Sequence, residues 1–125
     1  MPLILDTCVF LWLLQDSEKL TKDTRKIIQK NTPCYLSSIS LAEIEIKRSI
    51  GKLDIIDDYR RYIKISGLKE LEYSFEDSTV LNSLTFHHKD PFDRMLIAQA
   101  ISRNITIITG DKIFAKYSAR TIIIK

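Results

Sequence analysis

Cysteine is scarce. The two present, Cys8 and Cys34, lie in apolar segments without the spacing that gathers thiolates around a metal. They are expected to be buried thiols, not a disulfide or a zinc site. No apolar stretch approaches the ~20 residues that a membrane helix needs. The opening Met1-Pro2-Leu3-Ile4-Leu5-Asp6 shows no basic leader or cleavage site, and Asp6 cuts its apolar run. The expectation is therefore a cytoplasmic protein with no membrane attachment. Repeats, linkers and low-complexity segments are missing as well. A strong charge is also lacking: 19 Lys and Arg stand against 16 Asp and Glu, and a net +3 is too mild to demonstrate a nucleic-acid partner. The positive excess is uneven, with Lys47, Arg48, Lys52, Arg60, Arg61 and Lys64 in one stretch. By itself that run reads as a solvated helix face.

What is present suffices for a core. With 45% apolar and 28% charged residues over 125 positions, the expectation is one domain, residues 1–125, that needs neither metal nor disulfide to fold. Short apolar runs at Leu3–Leu5, Cys34–Ser37, Leu71–Tyr73, Ile105–Thr109 and Thr121–Ile124 have the character of strands buried on both faces. Helical patterns lie between them. Thr21 caps one through about Gln29, and Ser40 precedes one ending at Gly51. Asp54 starts another reaching Gly67, and Ser74 begins one to about Leu84. Asp90-Pro91 opens the last, to about Arg103. Phe10, Trp12 and Leu13 are expected to pack in the core after the first strand. Strands alternating with helices imply an α/β fold, a parallel sheet covered on both faces.

In such a sheet the helices run antiparallel to the strands, so helix N-termini share an edge with strand C-termini. Ligands bind along that edge. Asp6 directly follows the first strand, and Glu43 is placed in the first turn of the helix after the second. Asp93 lies in the first turn of the helix that leads into the fourth strand, and Asp111 follows that strand after Thr109-Gly110. All four acids thus fall on one edge. Crowded carboxylates raise one another's pKa, and a hard cation among them relieves the repulsion. Mg²⁺ or Mn²⁺ there would hold a phosphate oxygen and lower the pKa of an attacking water, so no Ser or His nucleophile is required. The constellation reads as a phosphodiesterase site.

Each acid also has a plainer reading. Ser40-Leu41-Ala42-Glu43 matches a capping box. Asp90 is a good N-cap with Pro91 at the first helical position, Asp93 suits the helix dipole, and Asp111 suits a turn. Asp6 is hardest to dismiss, because a charge directly after a buried strand needs a partner and no nearby Lys or Arg supplies one. His87 and His88 do not make a zinc site: adjacent side chains on an extended segment point apart, and a third soft ligand is missing. Arg94 is a candidate for touching a phosphate, although a surface role is the simpler reading. Thr7 and Thr109, beside the acids, are the other candidate substrate contacts.

Four segments, taken in order, resemble the PIN-domain family, and within it the VapC toxins of toxin–antitoxin pairs. Ile4-Leu5-Asp6-Thr7 with Phe10-Leu11-Trp12 is similar to the family's opening strand, and Ser37 to Lys47 to its second motif, followed by Gly51-Lys52-Leu53. His88-Lys89-Asp90-Pro91-Phe92-Asp93-Arg94-Met95-Leu96-Ile97-Ala98-Gln99-Ala100 is the most specific segment. Thr109-Gly110-Asp111, with Phe114 and Tyr117, resembles the closing motif. The departures are Cys8 for a frequent His, Ala42 for Trp, Thr85 for Pro and Gly110 for Ala; none removes a carboxylate. The resemblance implies a three-layer α/β/α fold with a five-stranded parallel sheet of order 3-2-1-4-5. It implies an endoribonuclease dependent on Mg²⁺ or Mn²⁺ that stops translation through tRNA or rRNA. Asp6, Glu43, Asp93 and Asp111 would be its catalytic and metal-binding residues, with Asp90 shaping or extending the site. It also implies a homodimer and a small VapB-like antitoxin that covers the acidic site.

The alternative is a catalytically silent PIN-like module that binds RNA or a partner; intact acids argue against it, since an unused carboxylate cluster is costly to maintain. An aspartyl-phosphate phosphotransferase would want a second Asp two residues after the first, where Cys8 stands. A receiver domain would want paired acids there and a late Lys.

Overall fold

A computed structural model describes residues 1–124. The chain runs through β1 (Leu3–Leu5), α1 (Thr7–Leu14), α2 (Lys22–Lys30), β2 (Cys34–Ser37), α3 (Ser38–Ser49) and α4 (Tyr59–Ile65). It continues through β3 (Lys69–Leu71), α5 (Phe75–Leu81), α6 (Pro91–Arg103), β4 (Thr106–Thr109), a 3₁₀ turn (Lys112–Lys116) and β5 (Thr121–Ile123). The five strands form one parallel sheet in the order β3-β2-β1-β4-β5, as expected. No helix among the described residues is long and apolar enough to cross a membrane.

Alternation along the short strands divides the core into two layers. Leu3, Leu5, Leu36 and Ile108 face Val9, Phe10, Ile28 and Tyr59, from α1, α2 and α4. Ile4 and Ile107 face the other way, onto Leu96, Ile97 and Ala100 of α6 and onto Phe114 and Tyr117. The central strands β1 and β4 are buried along their whole length. That is why they read in the sequence as largely apolar runs without polar alternation.

Four expectations need correction. The third strand is Lys69–Leu71, not Leu71–Tyr73. It is an edge strand whose Lys69 and Glu70 are exposed, so hydrophobicity does not mark it. Beyond it the backbone is captured by side chains. Gln99 donates to the carbonyls of Leu71 and Glu72, Arg103 donates to that of Glu72, and the Tyr73 amide donates to Ser38 Oγ. Next, the helix expected from Asp54 begins only at Tyr59, whose side chain is fully buried. The preceding Asp54-Ile55-Ile56-Asp57-Asp58 joins poor helix formers, and Asp57 pairs with Arg48 instead, at 2.7 Å.

The helix after β2 starts at Ser38, capped by Ser37, whose Oγ accepts the Ile39 amide at 3.1 Å. Ser40 therefore lies inside the helix, and its hydroxyl accepts from Thr7 Oγ1 at 2.8 Å, tying α1 to α3. Glu43 falls in the second turn, so the capping-box reading of Ser40 and Glu43 does not hold. Finally, Cys34 is buried as expected but Cys8 is exposed, while Val9 and Phe10 beside it on α1 are fully buried. The caps expected at Thr21, Ser74 and Asp90 are all made, and Ser74 forms a full capping box with Asp77.

Gly110 stands where the resembling family often has Ala, and the structure shows what fills the space. A Cβ there would lie 2.7 Å from Trp12 Cη2 and 3.1 Å from Cζ3. The indole is itself packed against the core, with the Lys19 ammonium 5.3 Å from its ring centroid. Gly110→Ala is expected to cost about 1–3 kcal/mol through overpacking, and adding Trp12→Phe should recover part of it. Urea unfolding of the two variants checks this.

Candidate metal centre

Each acid is delivered by a different element. Asp6 is the residue between β1 and α1, Glu43 faces inward from α3, Asp93 is the third residue of α6, and Asp111 caps the 3₁₀ turn after β4. Asp6 and Glu43 are buried at 4% and 6% exposure, which removes water as their main hydrogen-bond partner.

The surrounding donors satisfy only part of these carboxylates. Thr109 Oγ1 donates to Asp6 Oδ2 at 2.7 Å and accepts the Asp111 amide at 3.0 Å, so one hydroxyl orients two acids. Lys47 Nζ donates to Glu43 Oε2 at 2.7 Å, one helical turn along. Glu43 Oε1 is buried and finds no partner among the described residues. Asp90 Oδ1 accepts the Asp93 amide at 3.0 Å and closes the N-terminus of α6. Asp111 Oδ1 accepts the Ile113 amide at 2.9 Å.

The electrostatics follow from this crowding. Burial raises the Asp6 carboxyl above its ordinary value. Hydrogen bonds from Thr109 and Thr7 pull it back, and the negative charges of Glu43 and Asp111 push it further up. Asp93 is pushed up to about 7 by burial and by Asp6 and Asp90; His88 pulls it down and Glu43 pushes it up again. Lys47 is raised, first by its hydrogen bond to Glu43. The Cys8 thiol is pushed up to about 11 by desolvation of its sulfur and then by Asp6, Asp93 and Glu43. Cys8 thus stands beside the acids as a neutral thiol, not a nucleophile.

Asp6, Glu43, Asp93 and Asp111 lie near enough to act on one another through charge, with Asp90 beside Asp93, but of these only Asp93 and Asp111 belong to a compact set of ligating atoms. The structure also adds a residue that sequence reasoning set aside. His88 Nε2 lies 2.8 Å from Asp111 Oδ2 and 3.1 Å from Asp93 Oδ2, and ligating atoms of these three residues all fall within 4.8 Å of one another. His87 and His88 do point apart: the His87 ring meets Tyr117 edge-on at 5.1 Å, while His88 turns into the acids. The available signal was its place two residues before the helix cap Asp90. Of the candidate substrate contacts, Thr109 and Thr7 are engaged as described, to Asp6 and Ser40. Arg94 spends its guanidinium on the carbonyls of Leu84, Thr85 and His88, 4.2 Å above the Phe86 ring. It fastens the loop that carries His88 onto α6.

The acids are all hard oxygen donors, and one buried oxygen is left open, an arrangement that suits a small divalent cation.

A search of curated protein sequences returns no match. Among solved structures, the chain is similar to VapBC2 from Rickettsia felis bound to a DNA fragment from their promoter, at TM-score 0.77 and 18% identity, with both chains covered completely. DNA-bound VapBC from Salmonella typhimurium follows at TM-score 0.72 and 19% identity, covering 100% of this chain and 99% of that one. VapBC-5 from Mycobacterium tuberculosis aligns at TM-score 0.57 and 21% identity, over 99% and 98% of the two chains. At such identities the likeness speaks for the fold. The PIN domain model matches residues 3–120, a span that takes in β1 to β4 and the positions of all four acids, and the chain belongs to the PIN domain family.

Proposed function

We propose that this chain is a divalent-metal-dependent endoribonuclease that acts as the toxin of a toxin–antitoxin pair, cleaving tRNA or rRNA. The observation that carries the reading is a buried carboxylate cluster in which Glu43 Oε1 has no partner among the described residues. Lys47 meets the other oxygen of Glu43, and the open oxygen, crowded by the neighbouring acids, is costly to keep buried unless a further cation meets it. Asp6, Glu43, Asp93 and Asp111 are the residues that would hold Mg²⁺ or Mn²⁺, with Asp90 at the margin. A bound ion supplies charge neutralisation, polarisation of a phosphate oxygen and a lowered pKa for water.

The chain's own groups prepare that chemistry. Thr109 fixes Asp6, leaving the other face of the carboxylate open. Lys47 neutralises one oxygen of Glu43 and leaves the second free. The acidic mouth would exclude a bare phosphodiester without a cation, so metal and substrate are expected to enter as a coupled pair. A small VapB-like antitoxin that placed an Arg over this mouth would gain charge-assisted hydrogen bonds there. The complexes with similar folds support such a partner, and the sequence resemblance implies a homodimer as well. A silent RNA- or partner-binding module is the weaker reading, because it leaves the uncompensated acids without a purpose.

Incubation with a mixed RNA pool is expected to give cleavage that requires Mg²⁺, is lost in EDTA, and falls to that background in Asp6→Asn with the fold unchanged by circular dichroism. Cleavage by Asp6→Asn at the parent rate would refute the assignment. Co-expression with the adjacent upstream reading frame is expected to yield a co-purifying complex that no longer cuts RNA; separate elution of the two chains would remove the antitoxin proposal alone.

Asp93 gives a pH test. Its folded value of about 7 stands above the ordinary 3.8, so the folded protein binds this proton more tightly than the unfolded chain does. Stability is then fully present below the unfolded value and declines as pH rises toward the folded one. In EDTA the Tm is expected to fall between about pH 4 and about pH 7. Saturating Mg²⁺, or Asp93→Asn, should flatten that decline in a differential scanning series.

A further inference from the structure

His88 is held more firmly than a loop histidine requires. Its side chain is 13% exposed, and its ring meets Phe114 edge-on at 5.8 Å. Its backbone amide donates to the Tyr117 hydroxyl at 2.7 Å, and its carbonyl accepts from Arg94 at 3.3 Å. The decisive contact is at the ring: Nδ1 accepts the Asp90 amide at 3.2 Å. An imidazole nitrogen that accepts an N–H carries no proton of its own, so in the neutral ring the proton resides on Nε2. Nε2 is therefore the donor, and it faces Asp111 Oδ2 at 2.8 Å and Asp93 Oδ2 at 3.1 Å.

We infer that His88 is a positioning residue of the acidic centre: as the Nε2–H tautomer it spans Asp93 and Asp111 with one donor and sets their carboxylates for a divalent cation without ligating that cation. This rests on the metal-centre reading above. Without the donor, the two carboxylate oxygens that converge on Nε2 would face one another with like charge at a half-buried site and swing apart. Ligation by His88 is the competing possibility, since its nitrogen lies within 4.8 Å of both acids' oxygens. It would require a lone pair on Nε2 and a proton on Nδ1, where the Asp90 amide hydrogen already points. Two hydrogens would then oppose each other at a contact now made by one. The hydrogen-bond geometry thus assigns His88 to the carboxylates, and Asp90 acquires a second duty, fixing the tautomer as well as capping α6.

The test combines the ring's state with metal affinity. In ¹⁵N-histidine-labelled protein, long-range ¹H–¹⁵N spectra are expected to show the Nε2–H pattern for His88 both in EDTA and with saturating Mg²⁺. Mn²⁺ titrations followed by electron paramagnetic resonance should show His88→Ala binding about tenfold more weakly. His88→Gln, which keeps an N–H donor near the Nε2 position, should recover most of that loss and remains informative if the alanine variant folds poorly. A switch to Nδ1–H on Mg²⁺ loading, or wild-type Mn²⁺ affinity in His88→Ala, would overturn the inference. Absence of metal binding by the wild-type chain would remove the metal centre and this inference together, whereas normal wild-type binding with indifferent His88 variants would remove only the latter.

Discussion

Repulsion among Asp6, Glu43 and Asp93, held close behind a wall of apolar packing, is the constraint about which the rest of this edge is organised. Burial and mutual charge together raise the proton affinity of Asp6 and Asp93. Several nearby donors are turned toward the cluster: the Thr109 hydroxyl, the Lys47 ammonium, the His88 ring and the amides that lead into α6 and the 3₁₀ turn. These donors hold the oxygens in place but do not neutralise them all. The residual charge is what a cation would relieve, so the cost to the metal-free fold and the capacity to bind metal have one origin.

The sheet makes such crowding possible. β1 and β4 are adjacent, central and fully buried, so their carboxyl ends project Asp6 and Asp111 into one crevice. α3 and α6, which pack against each other, deliver Glu43 and Asp93 to the same edge. Lateral links then lock the parts together: Thr7 to Ser40 joins α1 to α3, and Arg94 pins the loop before α6. A further buried pair, Asp77 with Arg103, braces α5 against α6. Burial alone would raise Asp77, but the Ser74 amide and Arg103 outweigh it and hold that carboxyl low. Asp77 and Asp93 show the same side chain under opposite regimes. Neighbouring donors outweigh burial for one, while neighbouring anions reinforce it for the other.

Much of this was legible in the chain because the relevant signals are local. Short, largely apolar runs marked β1, β2 and β4, and Thr21, Ser74 and Asp90 announced their helices through side-chain capping that needs only three or four residues. Where a local pattern met a tertiary demand, it gave way. β3 is displaced to Lys69–Leu71 because Gln99, Arg103 and Ser38, distant in sequence, claim the backbone that the apolar pattern assigned to the ladder. Ser40 is drawn from capping into a bond with Thr7, and Cys8 faces outward where its apolar neighbours predicted burial.

The amino-acid sequence by itself determined the α/β order of elements and the presence of Asp6, Asp93 and Asp111 at strand and helix ends, since both depend on periodicity and on the chain direction that parallel sheets impose. Only the tertiary structure decided which oxygens are satisfied and which are left open, that Arg94 serves a loop, and that His88 enters the cluster. Those outcomes depend on distances between residues far apart in the chain. Orientation about side-chain bonds, set by packing from Phe114 and Tyr117 and by one amide of Asp90, leaves no periodic trace in a sequence.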